Sequence, residues 1–264
     1  MPGDFTAQDV QKLRQMTGAG MLDAKHALES NGGDMEEAKQ WLRVKGLASA
    51  AKRNDREAVQ GAISLVIKND VAAVVELRCE TDFVAKAPPF VAAAEQLANM
   101  VVVEGEQAVE GESGLVEELR TSFKENISIG RTARIESGRG NAVGGYLHTQ
   151  AGRGVNAVVV VLAGGTEELA HDIAVHIAFA KPQYISRDEV PDDIVAAERE
   201  TLTTITRNEG KPEAALEKIV SGRLNGFFKE RCLLEQPYVR DEKLTISDLL
   251  GDSKVVRFLQ MDVG

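Results

Sequence analysis

The passage from Val71 to Val103 constrains this chain more than any other. Val71 to Leu77 is an apolar, strand-like run, and Phe90 to Val103 is helix-like. Between them lie Cys79-Glu80-Thr81-Asp82-Phe83-Val84-Ala85-Lys86 and then Pro88-Pro89. A strand must therefore become a helix within a few residues, with an acid and an aromatic ring in the connection. Connecting segments run over the surface, and an exposed aromatic beside a charge has the chemistry of an interface anchor. The residues alone equally allow Phe83 to plug the core beneath the following helix.

At 264 residues, with 43% hydrophobic content, the chain has room for two or three small packed domains. A formal charge of −10 argues against nucleic acid as the main partner, because phosphate binding needs a basic face. One local basic cluster stands out: Lys39, Arg43, Lys45, Lys52, Arg53 and Arg56, with Asp55 among them. It reads as a solvated helix face, with a docking surface for acidic groups as the alternative. Cys79 and Cys232 are too few and too far apart for a disulfide framework, which fits a reducing, cytoplasmic setting. Met1-Pro2-Gly3-Asp4 has no basic segment followed by an apolar one, so no signal peptide is expected. The longest apolar run, Val155 to Ala163, is too short to span a bilayer.

Residues 1–53 read as a small helical module. Thr6 caps a helix carrying Val10, Leu13 and Met16; a second helix carries Met21, Ala24 and Leu28 and ends at Asn31-Gly32-Gly33. Asp34 with Glu37 resembles a capping box for a third helix bearing Ala38 and Leu42. The three together look like a ubiquitin-associated-type domain, followed by a polar linker at 54–57. Gly61 to Ile67, a turn at Lys68-Asn69-Asp70, and Val71 to Leu77 predict a β-hairpin ahead of a helix at 89–103. Further on, Pro191 to Asn208 and Pro212 to Lys229 are both helix-like, with Asn208-Glu209-Gly210-Lys211-Pro212 as the reversal. Ile194, Leu202 and Ile205 are expected to face Leu216, Ile219 and Val220. Two arms of this length make a projecting antiparallel hairpin about 25 Å long, at 1.5 Å per residue.

Reactive constellations are weak. His171 and His176 are five apart, which places them about 140° apart on a helix, whereas zinc ligands on one helix sit at i and i+4. Gly164-Gly165 and Gly18-Ala19-Gly20 complete no dinucleotide fingerprint, and no Gly-Lys-Ser/Thr is present to hold a phosphate. No serine occurs in Gly-x-Ser-x-Gly. Glu80 and Asp82 could form a carboxylate pair, but acids on a loop are more often simply solvated. No metal, cofactor or catalytic residue is predicted.

Thr17-Gly18-Ala19-Gly20-Met21 followed by Thr81-Asp82-Phe83-Val84-Ala85-Lys86 resembles the bacterial elongation factor Ts family, over essentially the whole chain. Members are guanine-nucleotide exchange factors for the GTPase elongation factor Tu. The resemblance implies an α+β fold: an N-terminal three-helix domain at 1–53, a core subdomain at 54–140, and a second at 141–264 with a helical hairpin inserted at about 187–228. It also exposes a weak internal repeat, two similar ββα(…)β units. The first hairpin and helix find a last strand at Ser128 to Ile135. Val143 to Thr149, Val155 to Ala163 and a helix near 166–179 find theirs at Val255 to Val263. Carried over from the family, Thr81, Asp82, Phe83 and Val84 form the segment that inserts into the GTPase. His148 lies on the partner-facing surface of the second subdomain, Met21 and Leu22 touch the G domain, Arg14 binds the partner, and Val239 lies near it. No cofactor, nucleotide, nucleic acid or membrane is implied, nor any enzymatic activity of the chain itself. Some members continue with another helix after the last strand, so that contact is expected to be absent in a chain ending at Val263-Gly264. The rival reading is a ubiquitin-associated-type adaptor or ribosome-associated binding module without exchange activity.

Overall fold

A computed structural model of the chain describes residues 5–17, 19, 21–53, 57–110 and 114–263, with side chains 46–53 left undescribed. Gly18 and Gly20 of the first motif, residues 54–56 of the expected linker, and the basic side chains of Lys52, Arg53 and Arg56 lie outside the described residues.

Three helices come first: α1 (Ala7–Thr17), α2 (Met21–Ser30) and α3 (Met35–Arg53). The start of α1 is closed reciprocally. Asp9 N–H donates to Thr6 Oγ1 (3.3 Å), and Thr6 N–H donates to Asp9 Oδ2 (2.8 Å). The end of α2 is closed by Gly33 N–H donating to the Leu28 carbonyl (2.8 Å), which needs the positive φ of 63° at Gly32. At the start of α3, Glu37 N–H donates to Asp34 Oδ1 (2.8 Å). Val10, Leu13, Ala24, Ala27, Leu28 and Ala38 form the shared core. Met16 departs from the expected stripe and is exposed. Steps of three residues advance 300°, so a stripe begun at Val10 and Leu13 has drifted off the buried face by position 16.

The remainder is a mixed α+β structure built on two three-stranded antiparallel sheets. The first contains β1 (Gln60–Lys68), β2 (Val71–Cys79) and β3 (Ser128–Glu136) in the order β1-β2-β3. The second contains β4 (Asn141–Gln150), β5 (Arg153–Ala163) and a last strand, β8 (Lys254–Asp262), in the order β4-β5-β8. A one-turn helix, α4 (Asp82–Ala85), and then α5 (Pro88–Glu104) follow β2; α6 (Gly114–Phe123) precedes β3; α7 (Glu167–Ala180) follows β5. The two-residue period of a strand sorts side chains to opposite faces. Ala73, Val75 and Leu77 of β2 meet Phe90, Ala94, Leu97 and Val101 of α5. Val158, Val160 and Leu162 of β5 meet Ala170, Ile173 and Ile177 of α7. The alternate residues, Ala72 and Val74 on one sheet and Ala157, Val159 and Val161 on the other, pack together in a third cluster with Ile63, Val143 and Met261. The layers therefore run helix, sheet, sheet, helix. β2 and β5, covered on both faces, are the most apolar strands.

Close approach of the sheets depends on Gly154, where an added Cβ would stand 2.2 Å from the Ile63 carbonyl of β1. One charge is buried in the first sheet. Glu76 lies where the pairing of β2 with β3 shifts register, and it accepts from Arg131 Nε (2.9 Å) and Arg78 Nη2 (3.0 Å). Arg131 Nη2 also donates to the carbonyl of Asp262 on β8, tying the two sheets together.

Between α7 and β8 the chain makes α8 (Asp192–Asn208) and α9 (Glu213–Arg231), the expected helical hairpin, then a short ribbon of β6 (Pro237–Tyr238) and β7 (Asp241–Thr245), and α10 (Ile246–Leu250). Leu216 and Val220 of α9 face inward as expected, but Ile194 and Ile205 of α8 are exposed. The inward stripe of α8 is instead Val195, Leu202 and Thr206, spaced by seven and four. Buried Thr206 donates its hydroxyl to the Leu202 carbonyl (2.6 Å) and accepts from Arg223 Nη1 (3.2 Å). A hydroxyl satisfied at both ends can occupy the position that an apolar pattern assigned to its neighbour.

Candidate partner-binding site

β2 ends in buried Cys79, whose thiol donates to the Thr81 carbonyl (3.2 Å); burial pushes its pKa up to about 12. Thr81 is the N-cap of α4, its hydroxyl accepting from Val84 N–H (3.4 Å). Ala87 is extended, as a residue before proline must be, so α4 cannot run on into α5 and stays a separate turn. One turn of helix points successive side chains about 100° apart. Val84 (7% exposed) and fully buried Ala85 therefore point into the core under α5, and Phe83 is 83% exposed. Phe83 is not the core plug. Val84, expected among the partner-facing residues, turns inward and packs in the α5 cluster.

The turn is held from several sides. Glu125, in the loop between α6 and β3, accepts from Glu80 N–H and Thr81 N–H through Oε2 (3.0 Å each) and from the Thr81 hydroxyl through Oε1 (2.5 Å). Glu80 Oε1 in turn accepts from Asn126 N–H (2.7 Å). Asp82 accepts from Lys86 Nζ (2.5 Å), and this hydrogen bond, with the nearby charges of Lys86 and Arg153, holds its carboxyl below the usual range. Glu80 and Asp82 are thus engaged separately and form no carboxylate pair.

The sheet-on-sheet packing brings the β4–β5 turn to the same end of the molecule. Arg153 donates to the Gly61 carbonyl of β1 and to Gln60 Oε1 (3.2 Å), and Gln60 is the residue paired with Cys79. His148 is exposed on β4 near this turn, with Nδ1 3.3 Å from the Tyr146 hydroxyl. Asn156, its partner on β5, donates to the Ala178 carbonyl (3.4 Å), which places the last turn of α7 over the end of the strand pair. The next residue, Phe179, is 79% exposed. Sequence reading missed it; the available signal was a phenylalanine off the apolar stripe at the end of a helix. His171 donates from Nδ1 to the Gly145 carbonyl (2.7 Å), whereas His176 is buried with Nε2 2.9 Å from Gln236 Oε1, so the two imidazoles serve different surroundings. Burial lowers the pKa of His176, against the opposing pull of its hydrogen bond to Gln236. Among the described residues no cluster of three metal-ligating side chains occurs, and no helix is long and apolar enough to cross a membrane.

A family profile described as "Elongation factor TS" matches residues 80–264, beginning at the turn just described. The elongation factor Ts of Deinococcus deserti is 42% identical, with 97% of this chain and 99% of the relative covered. Those of Clavibacter michiganensis subsp. michiganensis and Thermobifida fusca are 44% and 42% identical, each with 99% of both chains covered. The chain belongs to the elongation factor Ts family.

In this member of the elongation factor Ts family, the other expected contacts fall elsewhere. Arg14 is exposed on the last turn of α1, and Met21 and Leu22 open α2, with Leu22 82% exposed. Met16 and Met21 are exposed as well. Val239 is half-buried at the β6–β7 turn, packed against the α7 cluster. These pairings join Asp82–Phe83 and His148 at one end of the two-sheet body; Val239 lies on the α7 side of the second sheet, and Met21 and Leu22 lie on the three-helix unit.

Proposed function

We propose that this chain is a guanine-nucleotide exchange factor for elongation factor Tu, acting in the cytoplasm during translation. The observation that carries the reading is Phe83: a ring left 83% exposed on a one-turn helix whose other side chains are buried or paired. Its mechanism is differential binding. A factor that binds the nucleotide-free GTPase more tightly than the GDP form must, by linkage, weaken GDP binding by the same factor. Phe83 wedges into the G domain near the phosphate and magnesium site, with Asp82 beside it, and displaces groups that favour bound phosphate and metal. Accelerating release ~10⁴-fold needs the barrier lowered by only about 5.5 kcal/mol, within reach of a few inserted side chains. Nothing in this mechanism asks the chain to make or break a covalent bond, or to hold a nucleotide, metal, nucleic acid or membrane of its own.

In the same reading, residues 1–53 form a separate domain that adds the Arg14, Met21 and Leu22 contacts. The body divides into subdomains 54–140 and 141–264, the second presenting His148 and Val239 and carrying the hairpin near 187–228. An adaptor built only on residues 1–53 would leave the exposed Phe83 without a role. The test is release of labelled GDP from elongation factor Tu, with and without this protein. Release accelerated by orders of magnitude at catalytic amounts is expected; an unchanged rate despite complex formation overturns the reading.

A further inference from the structure

We propose that Glu125 is the positioning residue that mounts Phe83 for nucleotide release; this rests on the exchange-factor reading above. A single helical turn does not hold itself together, because nucleation costs more than one turn of hydrogen bonds returns. The support of α4 must come from outside. Two amide N–H groups, of Glu80 and Thr81, converge on Glu125 Oε2, and the Thr81 hydroxyl meets Oε1. The return bond from Asn126 N–H to Glu80 Oε1 makes the fastening reciprocal, with four hydrogen bonds between two segments far apart in the chain.

The loop is shaped for this. Lys124 N–H still closes the end of α6 on the Arg120 carbonyl (3.0 Å), and Lys124 itself is left-handed, with φ 59°. That conformation is unfavourable for a side chain such as lysine. It reverses the chain so that the next residue, Glu125, reaches the turn. On the opposite side, Val84 and Ala85 sink into the core and Lys86 grips Asp82. The turn is fixed on both flanks, and Phe83 is its large exposed apolar side chain. A ring that must press a partner open works best on a rigid mount, since any slack is ordered at the cost of binding free energy.

The chemistry predicts which substitutions are tolerated. Glutamine can place its carbonyl oxygen on the two amides and donate its NH₂ to the Thr81 hydroxyl, so its shape substitutes for the carboxylate. Alanine can do neither. Loss of the mount displaces the ring, and displacement on the scale of 1 Å costs up to ~100-fold in a process that depends on geometry.

GDP release from elongation factor Tu is therefore measured with wild type, Glu125→Ala, Glu125→Gln, Phe83→Ala and the double variant Glu125→Ala/Phe83→Ala. Glu125→Ala is expected to lose ~10- to 100-fold of the acceleration, and Glu125→Gln to stay within ~3-fold of wild type. The double variant should be no slower than Phe83→Ala alone, because Glu125 acts through the ring. A merely structural role would instead make the two losses multiply. Full activity of folded Glu125→Ala, or multiplying losses, overturns the assignment. Unaccelerated release with the wild type sinks the exchange reading itself, whereas an unimpaired Phe83→Ala sinks the wedge role of the ring, so the failures are distinguishable. If Glu125→Ala does not fold, Thr81→Val removes the hydroxyl end of the fastening together with the cap that the same hydroxyl gives Val84 N–H. Its loss of rate should then vanish in the Phe83→Ala background, and persistence there overturns the proposal.

Discussion

Arg153, at the start of β5, donates to the carbonyl of Gly61 on β1, and this contact joins the two sheets beside the turn that carries Phe83. It sets Asp82–Phe83, on the helical turn that follows one sheet, and His148, on the other sheet, in one frame, although the two lie far apart in the chain. Exposure of Phe83 then has a direct consequence. Phe83→Ala should leave thermal melting unchanged and slow GDP release. Truncating an interface anchor costs ~2 kcal/mol or more of interaction, about 30-fold in affinity at 1.4 kcal/mol per decade. A melt and an exchange assay on the same variant check it. Asp82→Ala should follow more weakly, because its charge is screened by solvent and salt.

Glu76 gives the molecule an acid-sensitive joint. Burial alone would raise its pKa, but hydrogen bonds from Arg131 and Arg78 outweigh burial and bring it from the ordinary 4.5 down to about 2. The ionised carboxylate therefore contributes its stability in full above pH 4.5, and that contribution is lost as the pH falls toward 2. Glu76→Gln should cost roughly 2–3 kcal/mol at pH 7, the range for breaking a buried charged hydrogen-bond set. The gap between wild type and variant should narrow by pH 3. Urea unfolding at the two pH values measures both effects.

Residues 1–53 should be removable without unfolding the rest. The core of Val10, Leu13, Ala24, Ala27, Leu28 and Ala38 is complete within the three helices. The 54–264 fragment is expected to melt cooperatively and to bind elongation factor Tu more weakly. Aggregation or a broad, non-cooperative melt would contradict this.

The hairpin should be dispensable for the core fold only above its root. Val190, Leu224, Phe227, Phe228 and Cys232 form a cluster there, and Arg187 stacks on Phe228 at 4.6 Å. Replacing residues 198–219 with a short Gly/Ser link keeps that cluster. Circular dichroism should show lost helix and unchanged strand, with a cooperative melt. A cut taken through 187–228 removes Phe227 and Phe228 and should destabilise the base by ~3–5 kcal/mol for each buried ring lost.

What the sequence determined by itself was local. Thr6, Asn31-Gly32-Gly33 and Asp34 place the ends of the first helices, because caps and left-handed turns act over three or four residues. The apolar runs at 71–77 and 155–163 become the doubly covered strands β2 and β5, because burial on both faces leaves no polar alternation to read. Packing between distant segments decided the rest. Periodicity could not tell whether Phe83 or Val84 entered the core, since both lie on one helical turn and only the position of α5 selects between them. It chose Ile205 over Thr206 on α8 because a buried hydroxyl is costly until Leu202 and Arg223 satisfy it. Glu125 carried no signal at all, because a carboxylate in a loop is unremarkable until the fold brings two amides and a hydroxyl to it. Local propensities act over a few residues. The orientation of the site depends on contacts between segments tens of residues apart, and those exist only once the sheets have packed.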